Sequence, residues 1–178
     1  MIFKGRDMEQ RAVEDVAALM CAAARTAPKA KGIDNLVTLV LTGKDKDMIS
    51  EEMRRIAKET CVKEFNRDAD CVDASKAVVL LGQRPVQIGN MTQCGFCGYK
   101  NCAENMKGSN VCAISAGDLG TALGSAVAVA ARHFIDNRIM YRVGRAALNL
   151  DLFQDEKVRL AYGIPLSVSG KSPFFDRK

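Results

Sequence analysis

Ala77-Val78-Val79-Leu80-Leu81-Gly82 is a run with no charged residue and no polar alternation. A strand with one face in water alternates apolar and polar side chains, so a strand without alternation is buried on both faces. It therefore needs packed layers above and below. A second run of this kind, Leu36-Val-Thr-Leu-Val-Leu41, reads as another central strand.

Segments with helical spacing surround these strands. Upstream, Asp7-Met-Glu-Gln10 reads as a capping box, followed by Ala12, Val13, Val16, Ala17, Leu19, Met20, Ala23 and Ala24 on one buried face. Pro28 ends that helix, and a loop runs on to Asp34. Gly43-Lys-Asp-Lys-Asp47 reads as a charged turn whose last residue caps a helix to about Phe65, with Ile49, Met53, Ile56, Ala57 and Thr60 at helical spacing. Residues 66–75 fit neither pattern. Beyond Gly82, Pro85 and Gly89 bracket a short extended piece, Val86 to Ile88.

The last third reads as a helix from Cys112 through Arg132, a helix from Asp136 to about Leu150, a third strand from Val158 to Ile164 ending at Pro165, and a tail. The tail, Ser172 to Lys178, reads as an arm that packs elsewhere, a second subunit included. Within the first of these helices Gly117, Gly120, Thr121, Gly124 and Ala128 share a face with almost no side-chain bulk. Glycine costs a helix about 1 kcal/mol relative to alanine, so that face needs a reason. Close approach of another helix is one reason, and a flat cofactor lying against it is another. No internal repeat or interdomain linker interrupts the chain. The whole of 1–178 reads as one α+β domain, with residues 91–112 as an excursion from a single core.

That excursion carries the chemistry. Four of the seven cysteines fall between Cys94 and Cys112, spaced Cys94-x2-Cys97-x4-Cys102-x9-Cys112. Thiolates are soft ligands, and a Cys-x2-Cys pair delivers two sulfurs to one centre from a single turn of chain. Gly95 and Gly98 each follow a cysteine, where a residue without Cβ lets the backbone wrap closely. Phe96, Tyr99, Met91, Met106, Val111 and Ile114 are candidates for an apolar shell that keeps water from a bound group. Three readings compete: buried unligated thiols, a structural zinc site and a [4Fe-4S] cluster. Isolated core thiols have no cause to gather at ligand spacing. Four-cysteine zinc sites commonly pair two Cys-x2-Cys knuckles, which Cys102 and Cys112 do not form. The spacing favours the cluster, with Cys94, Cys97, Cys102 and Cys112 as metal ligands.

Cys-Gly-x-Cys-Gly-x3-Cys resembles the cluster-binding signature of ferredoxin-like domains in the iron-sulfur subunits of anaerobic electron-transfer complexes and in corrinoid proteins. There the fourth cysteine usually lies further away than Cys112, so its assignment is the weakest part of the resemblance. The context Cys112-Ala-Ile-Ser-Ala-Gly-Asp118-Leu-Gly, with Asp136-Asn-Arg-Ile-Met-Tyr141, resembles a family of proteins described as containing a ferredoxin domain. The resemblance implies a cluster and leaves the reaction open.

A fainter resemblance lies in Ala22-Ala-Ala-Arg25-Thr-Ala-Pro28-Lys-Ala-Lys-Gly32, which is similar to the Ala-Arg-x-Ala-Pro-Ser stretch of FMN-dependent nitroreductases. Gly163-Ile-Pro165 likewise resembles the Gly-x-Pro that ends their sheet. The resemblance implies nitroreductase-like helices around a small, mainly antiparallel sheet. It also implies a flavin loop at Pro28, Lys29 and Ala30, and a homodimer with exchanged C-terminal arms. Lys29 replaces the serine of the pattern, and the opening Arg-Ser-x-Arg that grips the FMN phosphate has no counterpart. Arg25, Lys29, Lys31 and Arg177 are the basic residues left to hold a phosphate.

Bulk properties set the remaining bounds. At 178 residues, 48% hydrophobic and 26% charged, the chain has the size and composition of one globular domain. Its net charge of +5 favours acidic partners such as other electron carriers, and no basic run interleaved with aromatics points to nucleic acid. Met1-Ile-Phe-Lys-Gly-Arg-Asp7 has no apolar leader pattern, and the uncharged run Leu119 to Ala131 falls short of the roughly 20 residues that span a bilayer. A cytoplasmic location follows as the expectation, with Cys21, Cys61 and Cys71 as plain thiols in a reducing compartment. Gly170-Lys171-Ser172 lacks the earlier glycine of a phosphate loop, and the one histidine, His133, reads as solvent-facing or helix-capping. The expected function is single-electron transfer through a [4Fe-4S] cluster. Coupling to FMN would make the protein a small flavin-linked oxidoreductase. The alternative is a non-catalytic binding or assembly module built on structural zinc.

Overall fold

The computed structural model describes residues 1–89, 94–108 and 110–175. Met91 and Arg177, named above as shell and phosphate candidates, lie outside those residues, as does the end of the tail. The elements in order are α1 (Gly5–Thr26), a 3-10 turn (Ala30–Gly32), β1 (Leu36–Thr42), α2 (Gly43–Thr60), α3 (Glu64–Asp73), β2 (Ala77–Gln83), α4 (Cys102–Lys107), α5 (Ala113–Arg132), β3 (Asp136–Asn137), α6 (Tyr141–Asn149) and β4 (Leu160–Ser167).

The strands form one antiparallel sheet in the order β1-β2-β4-β3. All seven residues of β2 are buried, as the unbroken apolar run requires. Its odd-numbered side chains, Ala77, Val79 and Leu81, pack with α1 and α5. The even-numbered Val78 and Leu80 pack with α2, α3 and α6. The result is a three-layer sandwich with two apolar cores, one on each face of the sheet.

Several boundaries differ from the sequence reading. α1 begins at Gly5, before Asp7, and Leu19 and Ala12 are exposed on its outer side. The presumed turn at Gly43 is the first turn of α2: Gly43 has φ +52, which lets the chain leave β1 and enter a helix with no connecting loop. Cys61, left-handed at φ 60, ends α2, and the ambiguous segment is a separate helix, α3. Asp136 lies in a two-residue strand, and α6 begins only at Tyr141.

β4 runs through Pro165 instead of stopping there. Gly163 exchanges both backbone hydrogen bonds with Met140, at 2.8 and 3.0 Å. By alternation the N–H that Pro165 lacks would point to the same side, where β3 has ended at Asn137. The missing donor thus falls in a gap of the outer strand. On the tail, Phe174 is only 2% exposed and packs in the core of its own chain, and Arg138 Nη1 donates to its carbonyl at 2.9 Å.

α6 lies on β4 at glycine distance. A Cβ on Gly144 would stand 1.9 Å from the carbonyl oxygen of Ala161, and one on Gly163 would stand 2.1 Å from Val143 Cγ1. α5 is, among the described residues, the one helix long and apolar enough to cross a membrane. Here Leu119, Ala122, Leu123, Ala126 and Ala130 bury its inner face against α1 and the sheet.

Candidate metal centre

The end of β2 positions the site. From Gln83 the chain passes along the inner end of α5, where Gln83 Nε2 donates to Ser115 Oγ at 3.1 Å. It continues through Val86 to Gly89 and on to the cysteine-bearing segment. Cys94, Cys97, Cys102 and Cys112 all line one pocket, a small cavity of about 10 Å³ that they share with Phe96, Ile114 and others. Cys102 and Cys112 are buried, and Cys94 and Cys97 are half-buried.

Local sequence explains how each sulfur-bearing residue is held. Gly95 and Gly98 have φ of +68 and +81, a conformation that a side chain rarely adopts, and the N–H of Gly98 donates to the carbonyl of Gly95 at 2.9 Å. That tight turn carries Cys94 and Cys97. Asn101 caps α4, its side-chain oxygen accepting from the N–H of Glu104 at 2.9 Å, and so fixes Cys102 as the first residue of the helix. Cys112 is itself the N-cap residue of α5, whose twenty residues present the positive end of their dipole to whatever anionic group occupies that end.

A polar network ties these pieces together. Asn105 is 1% exposed, its Oδ1 accepts from Gln87 Nε2, and its Nδ2 donates to the carbonyl of Val111 at 3.4 Å. Gln87 Nε2 also donates to the carbonyl of Asn110 at 3.0 Å. α4 is thereby fastened to the segment that delivers Cys112. Sequence reasoning overlooked this network, although Asn101-Cys-Ala-Glu104 was a readable capping signal.

Four thiols are the donor set of a structural zinc site or of an iron-sulfur cluster. Zinc at about 2.3 Å from four sulfurs would draw those sulfurs to within about 3.8 Å of one another, and among the described residues no group of three or more His, Cys, Asp or Glu side chains is drawn together closely enough to hold an ion. The expected apolar shell is corrected in part. Val111 and Ile114 are half-buried, and Phe96 lines the pocket while staying 80% exposed, but Tyr99 and Met106, 38% and 51% exposed, are not among its lining residues.

The presumed flavin loop lies beside this region. Lys29 Nζ donates to the carbonyls of Ala24, Arg25 and Ala27, at 3.1, 2.7 and 3.0 Å, and so closes the C-terminal end of α1. Arg25 is paired with Asp34 at 2.6 Å and also donates to the carbonyl of Leu36. Against the pull of its partial burial, that guanidinium holds the Asp34 carboxyl below its ordinary value. Lys31 Nζ donates to the carbonyl of Gly89 at 3.3 Å, linking the loop to the approach of the cysteine segment. The N–H of Ala30 donates to Asp118 Oδ1 at 3.1 Å. Asp118 is therefore a buried brace inside α5. Pro28 is exposed, and the basic side chains described here are engaged with their own chain.

Of the remaining cysteines, Cys21 and Cys71 have their thiols pushed up by burial, and Cys61 is exposed. His133 follows the last residue of α5 and faces solvent.

Residues 108–177 match the family described as "Uncharacterized protein containing a ferredoxin domain". The match includes Cys112 and stops short of Cys94, Cys97 and Cys102. An uncharacterised protein of Archaeoglobus fulgidus is 40% identical over 99% of this chain and 98% of its own length. Among solved structures, the nitroreductase CinD from Lactococcus lactis in complex with chloramphenicol superposes with a TM-score of 0.60 at 18% identity, over 92% of this chain and 84% of that one. A nitroreductase with bound FMN from Desulfitobacterium hafniense gives 0.59 at 14% identity, over 89% and 79%. The FMN-dependent nitroreductase NfnB from Mycobacterium smegmatis in complex with NADPH gives 0.58 at 14%, over 88% and 78%. The sandwich is the nitroreductase fold.

Proposed function

This chain belongs to one family with its archaeal relative, and its residues 108–177 match the ferredoxin-domain family; from that premise we propose that it is a redox protein carrying single electrons through a [4Fe-4S] cluster on Cys94, Cys97, Cys102 and Cys112. The observation that carries the reading is the lining of one pocket by all four clustered cysteines, the other three lying elsewhere. A cluster supplies a reversible one-electron change at a potential set by its surroundings. The chain's own residues do the holding: the Gly95–Gly98 turn presents one pair of thiols, and the caps of α4 and α5 present the others. The Gln87–Asn105 network keeps those two helix starts in register.

Anaerobic reconstitution tests this. The expected result is a brown protein with about four irons and matching sulfide per chain, bleached by dithionite. Stoichiometric zinc, with no sulfide and no bleaching, would establish the structural-zinc module instead. FMN coupling is a second reading, favoured by the fold alone. Release of a yellow cofactor on denaturation supports it, and its absence from protein purified with added FMN removes it.

The same reading takes the protein as a cytoplasmic homodimer whose partners are other electron carriers. The small-residue face of α5 supports the dimer. Gly117, Gly120, Thr121, Gly124 and Ala128 are exposed, and an added Cβ on any of the three glycines meets nothing within 4 Å. α1 covers the opposite face, so the close helix approach expected from the glycines is still to be made.

A further inference from the structure

Lys31 is one of the basic residues that the sequence offered for a phosphate, and the structure gives its ammonium another partner. Nζ donates to the carbonyl of Gly89 at 3.3 Å, across 58 positions of sequence. Gly89 lines the pocket that Cys94, Cys97, Cys102 and Cys112 share. A cation on the 3-10 turn after α1 thereby reaches the wall of the cysteine pocket from a distant part of the chain.

The backbone that aims it is strained. Lys31 has φ 55, a left-handed conformation that residues with a Cβ rarely adopt, and Gly32 follows at φ 65. Three bonds hold the turn in that shape. The N–H of Gly32 donates to the carbonyl of Lys29 at 2.9 Å, that of Ile33 to the carbonyl of Ala30 at 3.2 Å, and that of Ala30 to Asp118 Oδ1 at 3.1 Å. Strained residues fixed by their surroundings gather at functional sites, where the strain is part of how a group is aimed.

The pocket gives that charge a use. Among the described residues that line it, none but the cysteines can carry a charge. Four thiolates around one bound group make an anionic centre, and the gain of an electron makes it more so. The positive end of α5 answers part of that charge, and Lys31 adds a full one. The other charged side chains on and beside the loop are turned elsewhere or face the turn from behind. Arg25 is paired with Asp34 at 2.6 Å, Lys29 is held by three carbonyls at the end of α1, and the Asp118 carboxyl accepts from Ala30. Substitution of Lys31 leaves all of these in place.

We infer that Lys31 supplies positive charge that favours the reduced state of the centre bound by the four cysteines, and so raises its midpoint potential. The inference rests on the iron-sulfur reading above. The step concerned is the gain of one electron from a reduced carrier, which is thereby oxidised; no bond is made or broken.

The test is an anaerobic redox titration of the reconstituted full chain, with dithionite as reductant and visible absorbance as readout. At the parent's midpoint, Lys31→Met should leave the oxidised form in about threefold excess, a modest figure because the Lys31 side chain is exposed and screened. At 59 mV per tenfold change for one electron, that is a midpoint about 28 mV lower. The shift should shrink between about 0.02 M and about 0.5 M salt. Lys31→Arg should restore the parent value. Lys31→Gly suits the left-handed backbone, so it relieves the strain while removing the charge, and it should shift the midpoint as Lys31→Met does. Lys58→Met removes an exposed charge from α2, on the other face of the sheet, and should change nothing.

A Lys31→Met or Lys31→Gly protein with the parent midpoint, a Lys31→Arg protein that shifts like Lys31→Met, or an equal shift from Lys58→Met each overturns the inference and leaves the iron-sulfur reading standing. So does a Lys31 variant that no longer takes up iron and sulfide, which would make Lys31 a tether of the cysteine segment. Parent protein that takes up neither ends the iron-sulfur reading, and the inference with it.

Discussion

Replacing Gly144 by alanine tests the tightest contact in the fold. The added Cβ would lie 1.9 Å from the carbonyl oxygen of Ala161, 2.2 Å from its carbonyl carbon and 2.6 Å from the amide nitrogen of Tyr162. All three atoms are backbone of β4, which is paired to β2 along seven residues and cannot give way locally. α6 must therefore lift off the sheet by more than 1 Å, loosening Val143, Ala146 and Ala147, each fully buried. Overpacking of this kind costs typically 1–3 kcal/mol, and an immobile backbone puts the cost at the upper end, about 3 kcal/mol. For a domain of this size that lowers Tm by about 6–12 °C. Gly163→Ala should cost less, because its nearest neighbour is Val143 Cγ1, a side-chain methyl that can move. Gly124→Ala, in open space within a helix, should gain up to about 1 kcal/mol in the monomer. Thermal unfolding followed by circular dichroism gives the three values. A Gly144→Ala protein melting within about 2 °C of its parent would refute the α6–β4 packing described here.

Cys102→Ser should lose most of its iron and its visible absorbance on reconstitution, whereas Cys61→Ser, at an exposed helix end, should keep both; equal loss in the two would remove the ligand assignment. Asn105→Ala leaves the carbonyl of Val111 without its side-chain donor and Gln87 with the carbonyl of Asn110 alone, at a cost of about 1–3 kcal/mol, and should hasten loss of iron to a chelator without preventing reconstitution. Glu52 is held below its ordinary value of 4.5 by Arg55, with Asn149 adding a hydrogen bond, against the opposing effect of burial. A depressed carboxyl contributes stability that is present above 4.5 and lost as pH falls through the lower folded value, so Glu52→Gln should flatten the acid limb of a stability–pH curve and leave parent and variant converging in strong acid. Gly120→Glu places a charge on the exposed small-residue face of α5 and should convert a homodimer to monomer in sedimentation; an unchanged species would locate the interface elsewhere.

The readability of this chain divides along physical lines. β1, β2 and the cysteine spacing were legible because each is a local pattern: a run without polar residues, or donors at short intervals. The inner face of α1 was legible as well, and its outer residue Leu19 was not, because helical spacing alone does not say how wide the buried stripe is. Breaks that depend on one backbone angle left no mark. Cys61 ends α2 in the left-handed region without being glycine, and Gly43 turns a strand straight into a helix. Pro165 misled in the opposite direction, since a proline halts a strand only where a neighbour needs its N–H, and β3 had already ended.

Phe96, Tyr99 and Met106 show the same limit at the site. Their sequence places them among the ligands, yet only the three-dimensional course of the chain decides how far each is exposed, 80%, 38% and 51% respectively. Lys29 is a related case: composition marks it as a phosphate ligand, and its ammonium is instead occupied by three carbonyls at the end of α1. In both cases residue type was read correctly and direction was not. A side chain's direction is set by backbone angles and by the competition of nearby acceptors, neither of which a spacing pattern records. The four clustered cysteines were easier to place, because residues at such short intervals cannot stray far from one another, and all four line one pocket.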